Sequence, residues 1–160
     1  MNNTVIILMG SEKDMEHSRE IAKNLKTFKV DHVFRIASAH KTPQRVLEIL
    51  KQYENTQVVY VTVAGRSNAL SAFVDANTTK PVISCPPYSD KFSGADIYSS
   101  LRVSSGIGSV LTIEPEGAAI AAAKIFALED KDLAKQIGEY QLTKKKDIEK
   151  ADVTAAKLKQ

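Results

Sequence analysis

The run Val5-Ile6-Ile7-Leu8-Met9 constrains this chain more than any other stretch. It is apolar at every position and Gly10-Ser11 stops it, which reads as a strand buried on both faces rather than one with a wet side. Such a strand needs helices above and below it, and the chain supplies them in alternation. Over residues 14–26, Met15, Ser18, Ala22 and Leu25 recur at helical spacing on an otherwise charged segment. Residues 30–37 form a second β-type run, and residues 43–53 then put Val46, Leu47, Leu50 and Tyr53 on one helical face. A third run, 58–63, is rich in β-branched residues and is followed by a short helix over 69–76. A fourth, 81–85, opens with Pro81, a position where a missing N–H is tolerated. A helix over about 95–101 leads to a fifth strand at 109–113, and an alanine-rich helix over 118–128 suits packing on more than one side. Beyond Asp130 the pattern stays helical through Leu133, Ile137, Tyr140, Ile148, Ala151, Ala155 and Leu158. Such a helix can pack on its own domain or on a neighbouring subunit.

Five strands alternating with helices specify a three-layer αβα sandwich around a parallel sheet, because parallel neighbours need crossover helices and both faces must be covered. The expected strand order is 2-1-3-4-5, a flavodoxin-like arrangement, with a long C-terminal helix. In that order the winding reverses beside strand 1, so loops 10–14, 38–43 and 64–68 converge on one crevice at the carboxyl ends of the strands. The 160 residues suit a single domain, with a core over about 5–128 and a helical extension over about 130–158.

Composition narrows the partners. A net charge of +3 is too small to argue for nucleic acid, and the Lys144-Lys145-Lys146 run reads as a solvated helix face. The single cysteine, Cys85, excludes an internal disulfide and reads as a buried small side chain in a reducing compartment. Residues 5–9 are too short for a membrane span or a signal segment, so the expectation is a cytoplasmic protein without a membrane partner.

Chemistry is concentrated in the three loops. His40 falls between a strand and a helix opening, with Thr42 at the N-cap and Pro43 at the first helical position. An imidazole titrates near physiological pH, so one at a crevice can both take and give a proton in a turnover. Gly10, Ser11 and Asp14 open a helix just after a buried strand, where free amides and the helix dipole favour a phosphate, although the same residues also make plain turns and caps. Lys41 adds a cation, and Gly65, Arg66, Ser67 and Asn68 bring a close-approach glycine and three donors. No Walker A motif is present, and Gly106-Ile107-Gly108 precedes a strand instead of following one, which argues against ATP hydrolysis and a nicotinamide cofactor. One cysteine and three scattered histidines make no zinc site, and no acid or nucleophile elbow is paired with His40. The residues thus point to proton transfer on a phosphate-bearing ligand, without metal or cofactor.

Met9-Gly10-Ser11 with Asp14, then Ser38-Ala39-His40-Lys41-Thr42-Pro43, then Ala64-Gly65 followed by Leu70, resemble the PurE family of purine biosynthesis from about Val5 to Leu128. Within it, Ala64-Gly65-Arg66-Ser67-Asn68-Ala69-Leu70-Ser71 departs from the mutase-class motif, whose histidine is Ala69 here, and Lys41 stands where the family usually has arginine. Both departures are similar to the second class, as are Ile83-Ser84-Cys85-Pro86-Pro87, Asp96-Ile97-Tyr98-Ser99-Ser100-Leu101-Arg102 and Ser105-Gly106. That class carboxylates 5-aminoimidazole ribonucleotide (AIR) at C4 with CO2, reversibly and without ATP. The resemblance implies His40 as the general acid/base, Ser11 and Asp14 on phosphate and ribose, and Ser38 and Lys41 closing on the phosphate, with Gly10 and Ala39 also at the substrate. Gly65, Arg66, Ser67 and Asn68 would shape the carboxyl or CO2 pocket. It also implies a homo-oligomer, an octamer with sites at subunit boundaries. Two other readings stand beside it: a mutase acting on the N5-carboxylated isomer, and a non-enzymatic flavodoxin-like module binding FMN or a nucleotide.

Overall fold

The computed structural model of the chain describes residues 3–158. β1 (Thr4–Met9) is an interior strand of a five-stranded sheet, parallel to β2 (Asp31–Ile36) on one side and β3 (Val58–Val63) on the other. β4 (Val82–Ser84) and β5 (Val110–Leu111) extend it in parallel, giving the order β2-β1-β3-β4-β5 that the alternation of elements predicts. Ile6 sits beside Val33 and Tyr60, and every residue of the opening apolar run is fully buried.

Alternation along β1 divides the core. Val5, Ile7 and Met9 face α1 (Met15–Thr27), α5 (Pro115–Phe126) and the start of α6 (Lys131–Ala155), while Ile6 and Leu8 face α2 (Pro43–Gln52) and α3 (Ala69–Asp75). Ala118, Ala119, Ala122 and Ala123 are all buried, and their small side chains let α5 lie close to both the sheet and α1.

The structure shifts several expected boundaries. On α2 the buried face is Val46, Ile49 and Leu50, and Leu47 is 41% exposed, so the apolar face lies to one side of that position. Before α4 (Tyr98–Leu101) the backbone is a 3-10 segment, Lys91–Ile97, in which Phe92, Ser93 and Gly94 all take positive φ. Residues 95–97 of the expected helix belong to the 3-10 segment, which leaves four residues in α4. Gly106, at φ +82°, and the Gly108 amide, which donates to Asp75 Oδ2 at 2.7 Å, hold the approach to β5 as loop, so only Val110 and Leu111 pair. α5 opens at Pro115, three residues earlier than periodicity suggests, because proline at N1 is already set for a helix.

α6 is anchored where Asp130 caps it. Its Oδ1 accepts from the Leu133 amide and its Oδ2 from Asn3 Nδ2, each at 2.9 Å. Leu133 and Ile137 are buried, and Tyr140 sets its ring edge-on to Phe28 and its hydroxyl on Glu116. From Gln141 to Leu158 every residue is exposed, and Lys144 reaches back to Glu116 on α5 at 2.8 Å, so the second half of the helix buries no side chain in its own chain. No helix among the described residues is long and apolar enough to cross a membrane.

Candidate active site

Backbone pairing at the sheet's carboxyl edge brings the three loops together. The Gly10 amide donates to Val63 O and the Ala37 amide to Met9 O, both at 2.9 Å, so each loop leaves the sheet beside the next. In the first loop, Ser11 N and Oγ both donate to Asp14 Oδ2, at 2.9 and 3.1 Å. This closes a 3-10 turn over Glu12–Asp14 and fixes the carboxylate at the foot of α1.

The second loop is bonded to itself. Ser38 N donates to Thr42 Oγ1 at 2.9 Å, Thr42 N to Ser38 O at 2.9 Å and Lys41 N to Ser38 Oγ at 3.2 Å. Thr42 is the N-cap residue by position, yet its hydroxyl serves the loop rather than the helix. His40 stands at the tip of this turn, exposed, and none of the described residues hydrogen-bonds its ring. A fixed backbone therefore carries a free imidazole, available to a ligand.

The third loop bends through Arg66, whose φ of +58° is left-handed. For a non-glycine residue that conformation costs about 1–2 kcal/mol. Bonds from elsewhere hold it: Ser99 Oγ lies 2.8 Å from Arg66 O and accepts from the Asn68 amide at 2.9 Å. Asn68 itself is 2% exposed. Its Oδ1 accepts from the Ser71 amide at 3.3 Å, and because that amide can only donate, the orientation of the side chain is fixed. Nδ2 then donates to Ser84 Oγ at 2.8 Å and to Ser100 Oγ at 3.0 Å. Leaving one of these buried groups unpaired would cost about 1–3 kcal/mol.

The three loops enclose a cavity of about 300 Å³ walled by Asp14, Ser38, Ala39, His40, Lys41, Gly65, Arg66 and Ser67, with Ala64 and Leu70 completing it. It gathers one imidazole, two cations and one carboxylate, a set suited to an anionic ligand that exchanges a proton. Gly10, Ser11 and Asn68, grouped with these by sequence, do not line it. Gly10 packs on Ala64, Ser11 braces Asp14, and Asn68 turns inward. A second cavity, of about 220 Å³, lies behind the third loop among Pro86, Pro87, Ile97 and Ile113 and shares Ala64, Gly65 and Arg66 with the first. No cluster of three His, Cys, Asp or Glu side chains placed to hold a metal occurs among the described residues.

A family model for AIR carboxylase matches residues 4–147. The chain belongs to the AIR carboxylase family. It is 58% identical over 147 residues to the phosphoribosylaminoimidazole carboxylase of Archaeoglobus fulgidus, covering 92% of this chain and 82% of that one. It is 53% identical over 142 residues to the enzyme of the same name from Treponema denticola, covering 88% and 89%. The crystal structure of Treponema denticola PurE superimposes with a TM-score of 0.93 at 49% identity, covering 99% of this chain and 100% of that one. The PurE resemblance, its second class included, therefore holds, and the protein is an enzyme of the carboxy-lyase type.

In this AIR carboxylase the residues that sequence reasoning left without a role are the ones behind the loop. Ser84, Ser99 and Ser100 fall in the segments that resemble the second class, but nothing in their spacing shows that the end of β4 and a four-residue helix will aim them at residues 66–68. The other unforeseen contact is His17 Nε2 to Cys85 Sγ at 3.4 Å. Burial lowers the His17 pKa, against smaller upward pulls from Cys85, Asp14 and Glu114, and burial pushes the Cys85 thiol up to about 12. Both groups are therefore held neutral, and the pair pins α1 to the end of β4.

Proposed function

We propose that the crevice binds AIR and joins CO2 to its C4, with His40 taking the proton that C4 loses. The observation that carries this reading is a free imidazole on a self-bonded turn, in one crevice with Lys41 and Arg66, where three strand-end loops meet. The family supplies the reaction class, and the loop chemistry fits it.

AIR is an enamine. Its C4 attacks the carbon of CO2, a C–C bond forms, and one C–O π pair moves onto oxygen to give a carboxylate. The ring then carries an sp³ C4, and removal of its proton by neutral His40 restores aromaticity. In reverse, protonated His40 returns the proton to C4 and CO2 leaves. Asp14, with Oδ2 occupied by Ser11, offers Oδ1 to ribose hydroxyls, while Ser38 and Lys41 close on the phosphate and Ala39 lines the crevice beside them. Lysine here is a point charge rather than a bidentate fork. Gly65, Arg66 and Ser67 receive the carboxyl group, with Asn68 shaping them from behind. Replacing His40 by Asn tests this: AIR should bind as in the wild type while turnover falls about 10²–10⁴-fold. Unchanged turnover would remove His40 from the mechanism.

The same reading includes self-association, with an octamer as the family-derived expectation. Leu142 (51% exposed), Ile148 (73%) and Val153 (56%) present apolar side chains on the outer half of α6, which supports a contact with another copy. Sedimentation that shows only monomer at micromolar concentration would contradict it.

A further inference from the structure

We propose that Ser99 is a positioning residue for the carboxylation, holding the Gly65-Arg66-Ser67 wall in the shape that receives the carboxyl group, with Asn68 as its buried brace. Ala64, Gly65 and Arg66 face the His40 crevice in front and the cavity of about 220 Å³ behind. Ala64 packs against Gly10, but Gly65 and Arg66 beyond it border a cavity on each side, so the shape of the wall there depends chiefly on its hydrogen bonds.

Those bonds converge on one hydroxyl. Ser99 Oγ accepts from the Asn68 amide at 2.9 Å, and its single proton is shared between Arg66 O at 2.8 Å and Asp96 O at 2.7 Å. Ser99 thus grips the loop on both sides of Ser67, at the point where Arg66 takes its left-handed conformation. Asn68 carries the load inward through Ser84 on β4 and Ser100 beside Ser99. Loops 11–14 and 38–42 are closed by their own hydrogen bonds and do not use this network. Loosening Ser99 should therefore disturb the carboxyl side of the site and spare the side that holds ribose and phosphate.

This inference rests on the AIR carboxylation reading given above. Asn68→Ala would strand buried hydroxyls and can fail to fold, so the test uses the half-buried Ser99. Steady-state kinetics with CO2 and AIR varied in turn should show, for Ser99→Ala, a CO2 KM raised at least roughly tenfold, because the Asn68 amide and the Arg66 carbonyl both lose their partner. The KM for AIR should stay within about twofold and the melting temperature close to wild type. Ser99→Thr, which keeps the hydroxyl, should restore most of the loss. A CO2-dependent wild type together with an unaltered Ser99→Ala, with both KM values rising in parallel, or with no rescue by threonine, overturns this proposal alone. A wild type indifferent to CO2 overturns the functional reading and this proposal with it.

Discussion

Gly10 and Ala64 meet where the first and third crevice loops cross, and a methyl group built on Gly10 would stand 3.2 Å from Ala64 Cβ. That is closer than carbon atoms normally approach, so Gly10 serves here as a spacer that lets the two loops touch. Gly10→Ala should force them apart, at a cost of about 1–3 kcal/mol for overpacking, with a lower melting temperature and a reduced kcat/KM. The double variant Gly10→Ala, Ala64→Gly returns the missing volume and should recover most of both. If the double variant is no better than the single one, crowding against Ala64 is not the cause.

Lys41 forms no ion pair with the described residues and stands exposed beside His40. Lys41→Ala should raise the KM for AIR about tenfold, as expected for one lost charge-assisted contact to phosphate, and leave kcat nearly unchanged. The difference between the two enzymes should shrink as salt screens the charge. Measuring KM at low and high ionic strength checks this, and a fall in kcat alone would instead place Lys41 at the reacting carbon.

The architecture was legible because each β-type run is short, strongly apolar and separated by a segment of helical period. The strand order and the meeting of loops at His40 follow from that alternation. What was not legible depends on tertiary contacts. Nothing local in Asn68 distinguishes a residue lining a pocket from one buried between two serines, because both uses call for a short polar amide after a turn. The left-handed run Phe92-Ser93-Gly94 was hidden for a similar reason, since only its glycine signals such a backbone. Nothing local to His17 points to its partner, because Cys85 is 68 positions away.

The His17 environment gives a pH dependence of stability with a defined sign. Burial lowers its folded-state pKa below the ordinary value of 6.5. Above pH 6.5 the ring is neutral in both states and adds no slope; as pH falls below that, the unfolded chain takes up a proton that the folded protein resists, so stability is lost. His32, also lowered by burial, acts in the same direction and remains in a His17 variant. His17→Gln should therefore narrow, without abolishing, the drop in melting temperature between about pH 7.5 and about pH 5.5. An undiminished drop would show that His17 protonates freely in the fold.

Cys85 is fully buried and its thiol is pushed up to about 12, so its thiolate is scarce near pH 8. The native enzyme should resist a maleimide reagent over hours and react with one equivalent once unfolded in denaturant. Rapid labelling of the native protein, followed by mass spectrometry, would mean that the segment after β4 opens readily.

The most direct test of the whole account follows the ultraviolet absorbance of AIR with and without bicarbonate, in the absence of ATP, for wild type and His40→Asn. Wild type should carboxylate AIR only when bicarbonate is present, and His40→Asn should be slower by about 10²–10⁴-fold. A wild type that ignores CO2 yet converts the N5-carboxylated isomer would contradict the direct carboxylation assigned to this crevice.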